Sequence, residues 1–407
     1  MSLISCQEAL DVVARQMAEL APRTGWEQVP LGQALGRVLS GEVKADRDQP
    51  PFRRSARDGY AVRAADSGVR RLVGAVRAGE VWTGAPLGTG EAIEVMTGAP
   101  VPDGADAVVM LEHVDATDTT VLIREQHLPL AEANVVPRGQ EAQAGDVLLR
   151  AGVRVGPAEI ALAASVGKAV LSVYRQPVAA VLATGDELVA VDETPAAHQI
   201  RNSNSPLLAA MVRQNGGVAR VLEPALDTRA SLLERFTAAR DADVLLLSGG
   251  VSAGKYDLVE DVLLEQGAKF YFTGVKMQPG KPVVFGRLPA TDAHKEQWIF
   301  GLPGNPVSTA VTALLFAMPM LRALGGETAA TPVFVQAVLT GEVKAKPGLT
   351  RFVPAVLASR LSGATVVPAG WHGSGDLHGN ARANCYVVVP AQGESLVEGS
   401  TVTVLLR

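Results

Sequence analysis

The chain has little cysteine and no excess of positive charge. Its two cysteines, Cys6 and Cys385, lie outside any CxxC motif or Cys/His cluster. The sequence therefore supports neither a zinc site nor a redox pair. With a net charge of -5 over 407 residues, the protein lacks the basic field expected for binding nucleic acid or an anionic membrane. An anionic ligand would have to be held by local loops and a few Lys or Arg side chains.

Signals for export and for a membrane span are also missing. The first residues, MSLISCQEALDVVARQ, are amphipathic and carry early acids, and they lack the apolar core of a signal peptide. The longest apolar run, residues 307–324, is interrupted by Ser, Thr and Pro319 and is too short and broken to predict a membrane span. We therefore expect a cytoplasmic protein that makes no contact with a membrane.

Changes in composition and hydrophobic pattern along the chain predict a multidomain α/β protein. Ser5 and Glu8 fit a capping box at the start of a helix from Cys6 to Leu20, and a second helical piece is expected from Leu31 to Leu39. A segment rich in Val, Gly and Pro then predicts an inserted β domain. The predicted parts are residues 1–43 with 145–177 as a helical unit, 44–144 as the inserted β domain, 178–326 as an α/β domain, and 327–407 as a C-terminal β domain.

The α/β prediction comes from alternating strand and helix patterns. The expected strands are Val178–Ala183, Val218–Leu222, Val244–Leu247, Lys269–Lys276, Pro282–Gly286 and Trp298–Gly301. The expected helices are Ser205–Gln214, Thr228–Ala239, Leu258–Glu265 and Val307–Leu324. Such a chain predicts a layered domain whose strand-end loops meet at one edge of the sheet.

Three of these loops are candidate anion sites. The stretch LLLSGGVSAGKYD, Leu245–Asp257, is a strand that breaks at Gly249-Gly250 and feeds a helix; loops 184–187 and 303–305 also follow strands. Small residues let backbone N–H groups approach a phosphate at a helix N-terminus. A tight turn without a ligand explains any one loop equally well. Three such loops in one domain indicate a phosphorylated or similarly anionic ligand.

Charged residues on these loops add a second clue. Glu187, Asp227 and Asp257 lie near predicted strand or helix ends, and carboxylates with phosphate oxygens are usual surroundings of Mg²⁺. Helix capping accounts equally well for Asp227 and is an alternative for Asp257. Lys281, in the turn Pro279-Gly280-Lys281-Pro282, is either a fixed point charge for an oxyanion or a solvated turn lysine.

Seven segments, in order along the chain, resemble the molybdopterin molybdenumtransferase family, that is, the bacterial MoeA proteins and the gephyrin E domain. They are SARDGYAV (55–62), VMTGAPVPDGADAVV (95–109), ATGDEL (183–188), IRNSNSP (200–206), SGGVSAGKYD (248–257), MQPGKPVVFG (277–286) and GLPGNPVS (301–308). The resemblance covers essentially the whole chain. It implies an elongated helical part, an inserted β domain, a three-layer α/β molybdopterin-binding domain and a C-terminal β domain.

The resemblance also implies an activity and an assembly. Family members insert molybdenum from molybdate into adenylylated molybdopterin, releasing AMP with Mg²⁺ present. The resemblance implies a homodimer with its active site between the α/β domain of one subunit and the inserted domain of the other, and it allows a transient contact with the molybdopterin adenylyltransferase. By pattern alone Asp58 and Thr97, in the inserted domain, are turn residues. The shared site would give them a role.

Individual residues match the family motifs. The implied catalytic residues are Asp58, Thr97, Glu187, Asp227, Asp257 and Lys281, with Glu187 and Asp257 as Mg²⁺ ligands. The implied molybdate-binding residues are Lys281, Pro282, Ser308, Arg351 and Ser374. The substrate-binding loops would further contribute Ser248, Gly249, Gly250, Ser252, Gly280, Gly304 and Asn305.

One position departs from the pattern. Some family members carry Lys three residues before the lysine of the PGK turn, where this chain has Gln278. Lys276 is close by, but we expect it on the opposite face of the strand, so the oxyanion site would hold one cation fewer. Two other functions stay open: a non-catalytic pterin-binding scaffold or organiser of other proteins, and another phosphate-handling enzyme such as a nucleotide pyrophosphatase.

Overall fold

The computed structural model describes residues 3–20, 25–250 and 258–407. Within these ranges the chain forms three sheets of six or seven strands and four two-stranded ribbons, with helices packed mainly against one of the sheets. The predicted combination of β and layered α/β parts is thereby confirmed.

The first helix, Cys6–Ala18, begins at the predicted capping box. The Ser5 hydroxyl accepts a hydrogen bond from the Glu8 N–H at 3.2 Å, and the Glu8 carboxylate accepts one from the Ser5 N–H at 2.7 Å. Cys6, Ala9 and Val13 are its buried face, so this helix packs into the same core as the α/β domain.

The segment before residue 44 pairs with the segment after residue 145. Strand Trp26–Pro30 pairs antiparallel with Val170–Tyr174, and Val43–Lys44 pairs with Val147–Leu149. Helix Pro157–Ser165 starts after Gly156. The predicted helix from Leu31 to Leu39 is wrong, because only the 3₁₀ turn Leu31–Gln33 is helical. The chain turns at Gly36, with φ of +76°, and then extends to make isolated bridges to the later segment.

A six-stranded sheet forms the inserted part. Its strands, in spatial order, are Ala107–Met110, Gly59–Val62, Glu91–Val95, Val69–Val76, Thr120–Ile123 and Val114–Ala116. A ribbon of Arg54–Ser55 and Val135–Val136 lies beside it, and 3₁₀ turns occupy Leu111–His113 and Glu125–His127. Strand Val69–Val76 was not predicted, since its alternation is weak: it includes Arg70, Arg71 and Gly74.

The α/β domain has a mixed six-stranded sheet. Its strands, in spatial order, are Val218–Val221, Val178–Ala183, Val244–Ser248, Gln297–Leu302, Val284–Leu288 and Lys269–Phe272. The first four are parallel, and Val284–Leu288 runs antiparallel to both of its neighbours. Helices Asn204–Gln214, Arg229–Ala239 and Leu258–Glu265 cover it, and a ribbon of Leu188–Val189 and Ile200–Arg201 lies outside it.

The last helix of this domain is the long apolar run noted in the sequence. It comprises Pro306–Thr312, a π-helical turn at Ala313–Ala317, and Met318–Leu324. Its 19 residues are long and apolar enough to cross a membrane by composition, but 83% of its most apolar 18-residue window is buried inside the protein. Residues of all three pieces belong to the largest hydrophobic core. It is therefore a core helix.

The expected strand Lys269–Lys276 is divided between two sheets. Lys269–Phe272 ends the α/β sheet, whereas Val275–Gln278 pairs with Ile4–Ser5 and with Thr350–Arg360 of the C-terminal part. The chain crosses over at Thr273-Gly274, where the strand pattern gives no sign of a change of partner. This crossover attaches the C-terminal domain directly to the α/β domain.

The C-terminal strands close into a five-stranded ring. Thr350–Arg360 pairs with Gly363–Pro368 and Cys385–Val389, and the ring is completed by Phe334–Leu339 and Thr401–Leu406. Its interior is a separate core of small and β-branched residues. The alternating patterns Val333–Leu339, Tyr386–Val389 and Val402–Leu406 predict three of these strands to within a residue of where they lie. Helix Leu377–Arg382 and strands Thr350–Arg360 and Gly363–Pro368 were not predicted.

Candidate active site

Three parallel strands place the predicted loops side by side. Ala183 is opposite Ser248, and Ser248 is opposite Leu302, so all three strands end at one level. The loops continue the pairing: the Thr184 N–H donates to the Ser248 carbonyl at 3.0 Å, and the Gly249 N–H donates to the Leu302 carbonyl at 3.2 Å. The prediction of one shared edge is confirmed.

The turn after Ser248 requires glycine twice. Gly249 has φ of +93° and Gly250 has φ of +66°, in the left-handed region. A Cβ on Gly249 would lie 2.6 Å from the Thr184 carbonyl oxygen, and one on Gly250 would lie 2.6 Å from Val259 Cγ2. A Cβ on Gly304 would lie 3.7 Å from Gly249 Cα, so these loops touch. The remaining loop residues Ser252 and Asp257 lie outside the described ranges.

Asn204 joins two of these loops and was not singled out from the sequence. From the first turn of its helix, its Nδ2 donates to Ser248 Oγ and to the Gly304 carbonyl, both at 2.7 Å. The amide orientation is fixed, because a carbonyl oxygen accepts only and must face the NH₂ group. The signal for it was its place in the segment IRNSNSP. Ser248 is buried, and since its oxygen accepts from Asn204, its hydroxyl proton can serve a ligand.

Two buried acceptors lie at the corner where Asn204 meets Ser248 and Gly304. Thr184 Oγ1 and Asn204 Oδ1 have no hydrogen-bond partner among the described residues. Thr184 is only 4% exposed, and a Cβ on Gly250 would come within 2.7 Å of its hydroxyl oxygen. Unsatisfied buried polar atoms cost stability and are uncommon in folded proteins. Each of these two oxygens can accept a hydrogen bond from a ligand.

Three acids cluster beside the corner. The Asp227 N–H donates to Asp186 Oδ1 at 3.0 Å. The Glu187 carboxylate lies against Gly185, so that a Cβ added to Gly185 would be 2.4 Å from Glu187 Oε2. Partial burial raises the pKa of Asp227, and the negative charges of Asp186 and Glu187 raise it further. Asp186 was missed from the sequence, where it was read only as part of the loop.

The alternative role for Asp227 as a helix cap is wrong. The helix begins at Arg229, and its N-cap is Thr228, whose hydroxyl accepts from the Ser231 N–H. The Asp227 side chain is therefore left for the acidic cluster. Within the described ranges, none of the three acids forms an ion pair, and no three Asp, Glu, His or Cys side chains are arranged to hold a metal by themselves.

A cavity of about 570 Å³ lies between the α/β domain and the C-terminal ring. Seven predicted residues line it together: Gly280, Lys281, Pro282, Asn305, Ser308, Arg351 and Ser374. The Val307 N–H donates to the Ser374 carbonyl at 3.0 Å, which holds the two walls together. The wall also includes Gln278, Lys346, Trp371 and His372, of which only Gln278 was discussed from the sequence.

The cavity is basic, and its wall is fixed by strand pairing. Gln278 is opposite Arg351 in the parallel pair that attaches the C-terminal ring, and the Arg351 guanidinium donates to the Lys344 carbonyl. No Asp or Glu is among the described residues that line the cavity. The expectation for Lys276 is wrong: Val275 and Met277 are buried, so Lys276 and Gln278 share the outer face.

Asp58 and Thr97 lie together in the inserted sheet. Asp58 Oδ1 accepts from the Thr97 N–H at 2.6 Å and from its hydroxyl at 2.8 Å. The backbone donor, then the hydroxyl, lowers the pKa of Asp58. Among the described residues, no hydrogen bond links either side chain to the α/β loops. Within one chain, Asp58 and Thr97 therefore bond to each other and not to the loops of the α/β domain.

Comparison with known proteins decides the family. Sequence models of the MoeA N-terminal region (domain I and II), a probable molybdopterin binding domain, and the MoeA C-terminal region (domain IV) match residues 4–167, 180–323 and 336–406. The chain belongs to the molybdopterin molybdenumtransferase (MoeA) family. The resemblance drawn from seven motifs and the fold class that it implied are confirmed.

Relatives resemble the MoeA chain over nearly its whole length. A molybdopterin molybdenumtransferase of Staphylococcus aureus is 32% identical, with 99% of this chain and 95% of the relative covered. One from Staphylococcus epidermidis is 31% identical, again with 99% of this chain and 95% of the relative covered. A crystal structure of a molybdopterin biosynthesis MoeA protein from Pyrococcus horikoshii is 31% identical with a TM-score of 0.72, covering 100% of this chain and 99% of the other. These matches leave the individual site residues as predictions.

Proposed function

We propose that this MoeA-family chain inserts molybdenum from molybdate into adenylylated molybdopterin and releases AMP in a Mg²⁺-dependent reaction. The main support is the basic cavity, whose wall contains no described carboxylate. It adjoins the glycine turn of the α/β sheet, because its lining residue Asn305 follows Gly304, which lies against Gly249. A basic cavity beside a glycine turn suits a reaction between two anions, molybdate and a phosphorylated pterin. The curated relatives named as molybdopterin molybdenumtransferases support the same activity.

The basic cavity would hold molybdate. Lys281 and Arg351 supply positive charge, and Ser308 and Ser374 offer hydroxyl groups from two different walls. Fixed donors of this kind stabilise an oxyanion without reorganising when it arrives. They would also reduce its repulsion from the phosphates of the second substrate, so that an oxygen of molybdate can approach the pyrophosphate.

The glycine turn would hold the phosphates of the pterin substrate. The turn at Gly249 and Gly250 packs closely against Thr184 and Val259, and the Ser248 hydroxyl proton is available because the Ser248 oxygen accepts from Asn204. In the reaction that we propose, an oxygen of molybdate forms a bond to the pterin-side phosphorus while the bridging P–O bond of the pyrophosphate breaks, and the electron pair of that bond leaves with AMP. The turn would keep the pterin-side phosphate in place during this step.

The acidic cluster fits a hard divalent cation. Asp186, Glu187 and Asp227 have no ion-pair partner among the described residues, and partial burial together with the charges of Asp186 and Glu187 raises the pKa of Asp227. Mg²⁺ usually takes one or two protein carboxylates together with substrate phosphates, so a complete protein cage is not needed. Bound there, it would neutralise pyrophosphate charge and polarise phosphorus. Asp257, the second predicted ligand, lies outside the described residues.

We further propose that the chain works as a homodimer with a shared site. Asp58 is held as a carboxylate by Thr97, yet within one chain neither residue is hydrogen-bonded to the α/β loops. A partner subunit could bring this pair to the acidic cluster and the glycine turn. We also expect the reaction to occur in the cytoplasm and the substrate to arrive through a transient contact with molybdopterin adenylyltransferase.

Release of AMP tests this function. Purified protein incubated with adenylylated molybdopterin, molybdate and Mg²⁺ should release AMP, and omitting either inorganic ion should slow the release. Glu187→Ala should lose most of the rate, whereas Glu193→Ala, an exposed acid of the same connection, should keep it. Equal rates for Glu187→Ala and wild type would contradict the metal role. AMP release from simple dinucleotides without a pterin would instead indicate a pyrophosphatase.

A further inference from the structure

The basic cavity contains a cation that belongs to none of the family motifs in this chain. Four basic side chains line it: Lys281, Lys346, Arg351 and His372. Lys281 and Arg351 were expected from the resemblance, whereas Lys346 lies in the segment KAKPGLT, which gave no functional signal. In a chain with net charge of -5, a wall with three cationic side chains, Lys281, Lys346 and Arg351, and no described acid is a local reversal of charge.

The backbone that carries Lys346 is tied down on both sides. The Ala345 N–H donates to Ser395 Oγ at 3.1 Å, and the Gly348 N–H donates to the Ala391 carbonyl at 2.9 Å. The Lys346 carbonyl itself accepts from the Leu349 N–H at 3.2 Å, which closes a turn. The turn leads directly into the strand that carries Arg351. Lys346 therefore extends from a fixed edge of the cavity.

The ammonium group of Lys346 has no partner within the described residues. No ion pair or hydrogen bond involves its Nζ, and the same is true of Lys281. The other two basic groups are engaged, since the Arg351 guanidinium donates to the Lys344 carbonyl and the His372 ring lies 3.4 Å from Asp376 Oδ2. Lys281 and Lys346 thus bring uncompensated charge to the same space.

Gln278 explains why a second free lysine matters. It lies on the cavity wall opposite Arg351, and as a neutral residue it adds no charge to a site for a dianion. We infer that Lys346 is a molybdate-binding residue that supplies, from the C-terminal ring, the positive charge that Gln278 does not. This inference rests on the proposed function of the cavity as an oxyanion site. It adds an oxyanion-binding residue that the family motifs in this chain do not include.

Calorimetric titration of the full-length protein with sodium molybdate alone tests the inference. Lys346→Ala should bind molybdate about fivefold more weakly at low ionic strength, the effect of one charge near the surface. The matched control is Lys344→Ala, which removes an exposed lysine of the same segment that does not line the cavity. It should bind like wild type. Adding KCl should narrow the difference, because salt screens exposed charges.

A rescue variant separates charge from structure. Gln278→Lys places an ammonium group on the same wall, so Gln278→Lys combined with Lys346→Ala should recover most of the lost affinity. Sulfate should compete with molybdate in the wild type and compete less well in Lys346→Ala. Unchanged binding by Lys346→Ala, no binding by the wild type, or failure of the rescue would overturn the inference.

The same variants distinguish this inference from the proposed function. If molybdate binding depends on Lys346 but wild type releases no AMP from adenylylated molybdopterin, the proposed function fails and the binding role of Lys346 stands. If wild type releases AMP and Lys346→Ala shows the same dependence of rate on molybdate concentration, the proposed function stands and the role of Lys346 is wrong.

Discussion

Replacing Asn204 by alanine removes the one described side chain that links the Ser248 and Gly304 loops. Two hydrogen bonds of 2.7 Å are lost, one to a buried hydroxyl and one to a more exposed carbonyl that water can satisfy. At roughly 1 kcal/mol for the buried bond and about half of that for the exposed one, the loss is about 1.5 kcal/mol. If these bonds keep both loops in the geometry that binds the pterin phosphate, binding must reorder the loops in the variant, and affinity for molybdopterin should fall by at most roughly tenfold.

Equilibrium titration of molybdopterin with the full-length protein measures this effect. Gln214→Ala, at the exposed far end of the same helix, is the control for a general loss of helix stability. Asn204→Leu should bind as weakly as Asn204→Ala, because leucine keeps the branching and bulk of asparagine but cannot donate. Binding restored by leucine would show that Asn204 only fills space. Equal affinity of Asn204→Ala and Gln214→Ala would refute the bracing role altogether.

Three further predictions concern the subunits, the domain junction and the glycine turn. A mixture of Asp58→Ala and Lys281→Ala subunits should regain about a quarter of wild-type AMP release if each site spans two subunits, and none if it lies within one. Glu327→Gln should lower the free energy of unfolding in urea by about 2–4 kcal/mol near neutral pH and by less in acid. A difference between variant and wild type that stays the same at both pH values would contradict this. Gly250→Ala should weaken pterin binding more than Gly267→Ala, because its Cβ would meet Val259 and Thr184 and distort the turn, whereas a Cβ on Gly267 would meet nothing within 4 Å. Equal effects of the two variants would contradict a role of this turn in pterin binding.

The pH dependence expected for Glu327 follows from its surroundings. Burial alone would raise the pKa of this carboxyl, but the hydrogen bond from Arg322 and the charge of Arg154 hold it below its ordinary value. Because the folded-state pKa is depressed, the stabilisation is complete above the unfolded-state pKa of about 4.3 and is lost as the pH falls below it. Arg154 also donates to the Gly36 and Asn215 carbonyls, so Glu327 helps to hold the helical unit to the α/β domain.

The edge of the α/β sheet could be predicted because its signals are local. Each loop follows an apolar run and begins with small residues, and parallel strands bring such loops together whatever their spacing in sequence. The bracing by Asn204 was not predictable in the same way, since Asn204 bonds to Ser248 and Gly304, which lie 44 and 100 positions further along the chain. Nothing in the periodicity of a helix says which loops its first residue reaches.

The cavity shows a second limit of sequence patterns. Alternation predicted a strand through residues 269–276, but a strand pattern does not say which sheet the strand joins. The chain changes partner after Phe272, so Gln278 pairs with Arg351 of another domain. Lys346 was missed for the same reason: its approach to the cavity depends on that pairing. The family resemblance identified Arg351 and Ser374, which spacing alone does not indicate.

The most direct test of the proposed reaction follows both products at once. Purified protein is given adenylylated molybdopterin, molybdate and Mg²⁺, and AMP and the mass of the bound pterin are measured in the same samples. We predict that each AMP released is matched by one pterin that has gained molybdenum. AMP released while the pterin mass shows no gain of molybdenum, or no AMP released at all, would contradict the account.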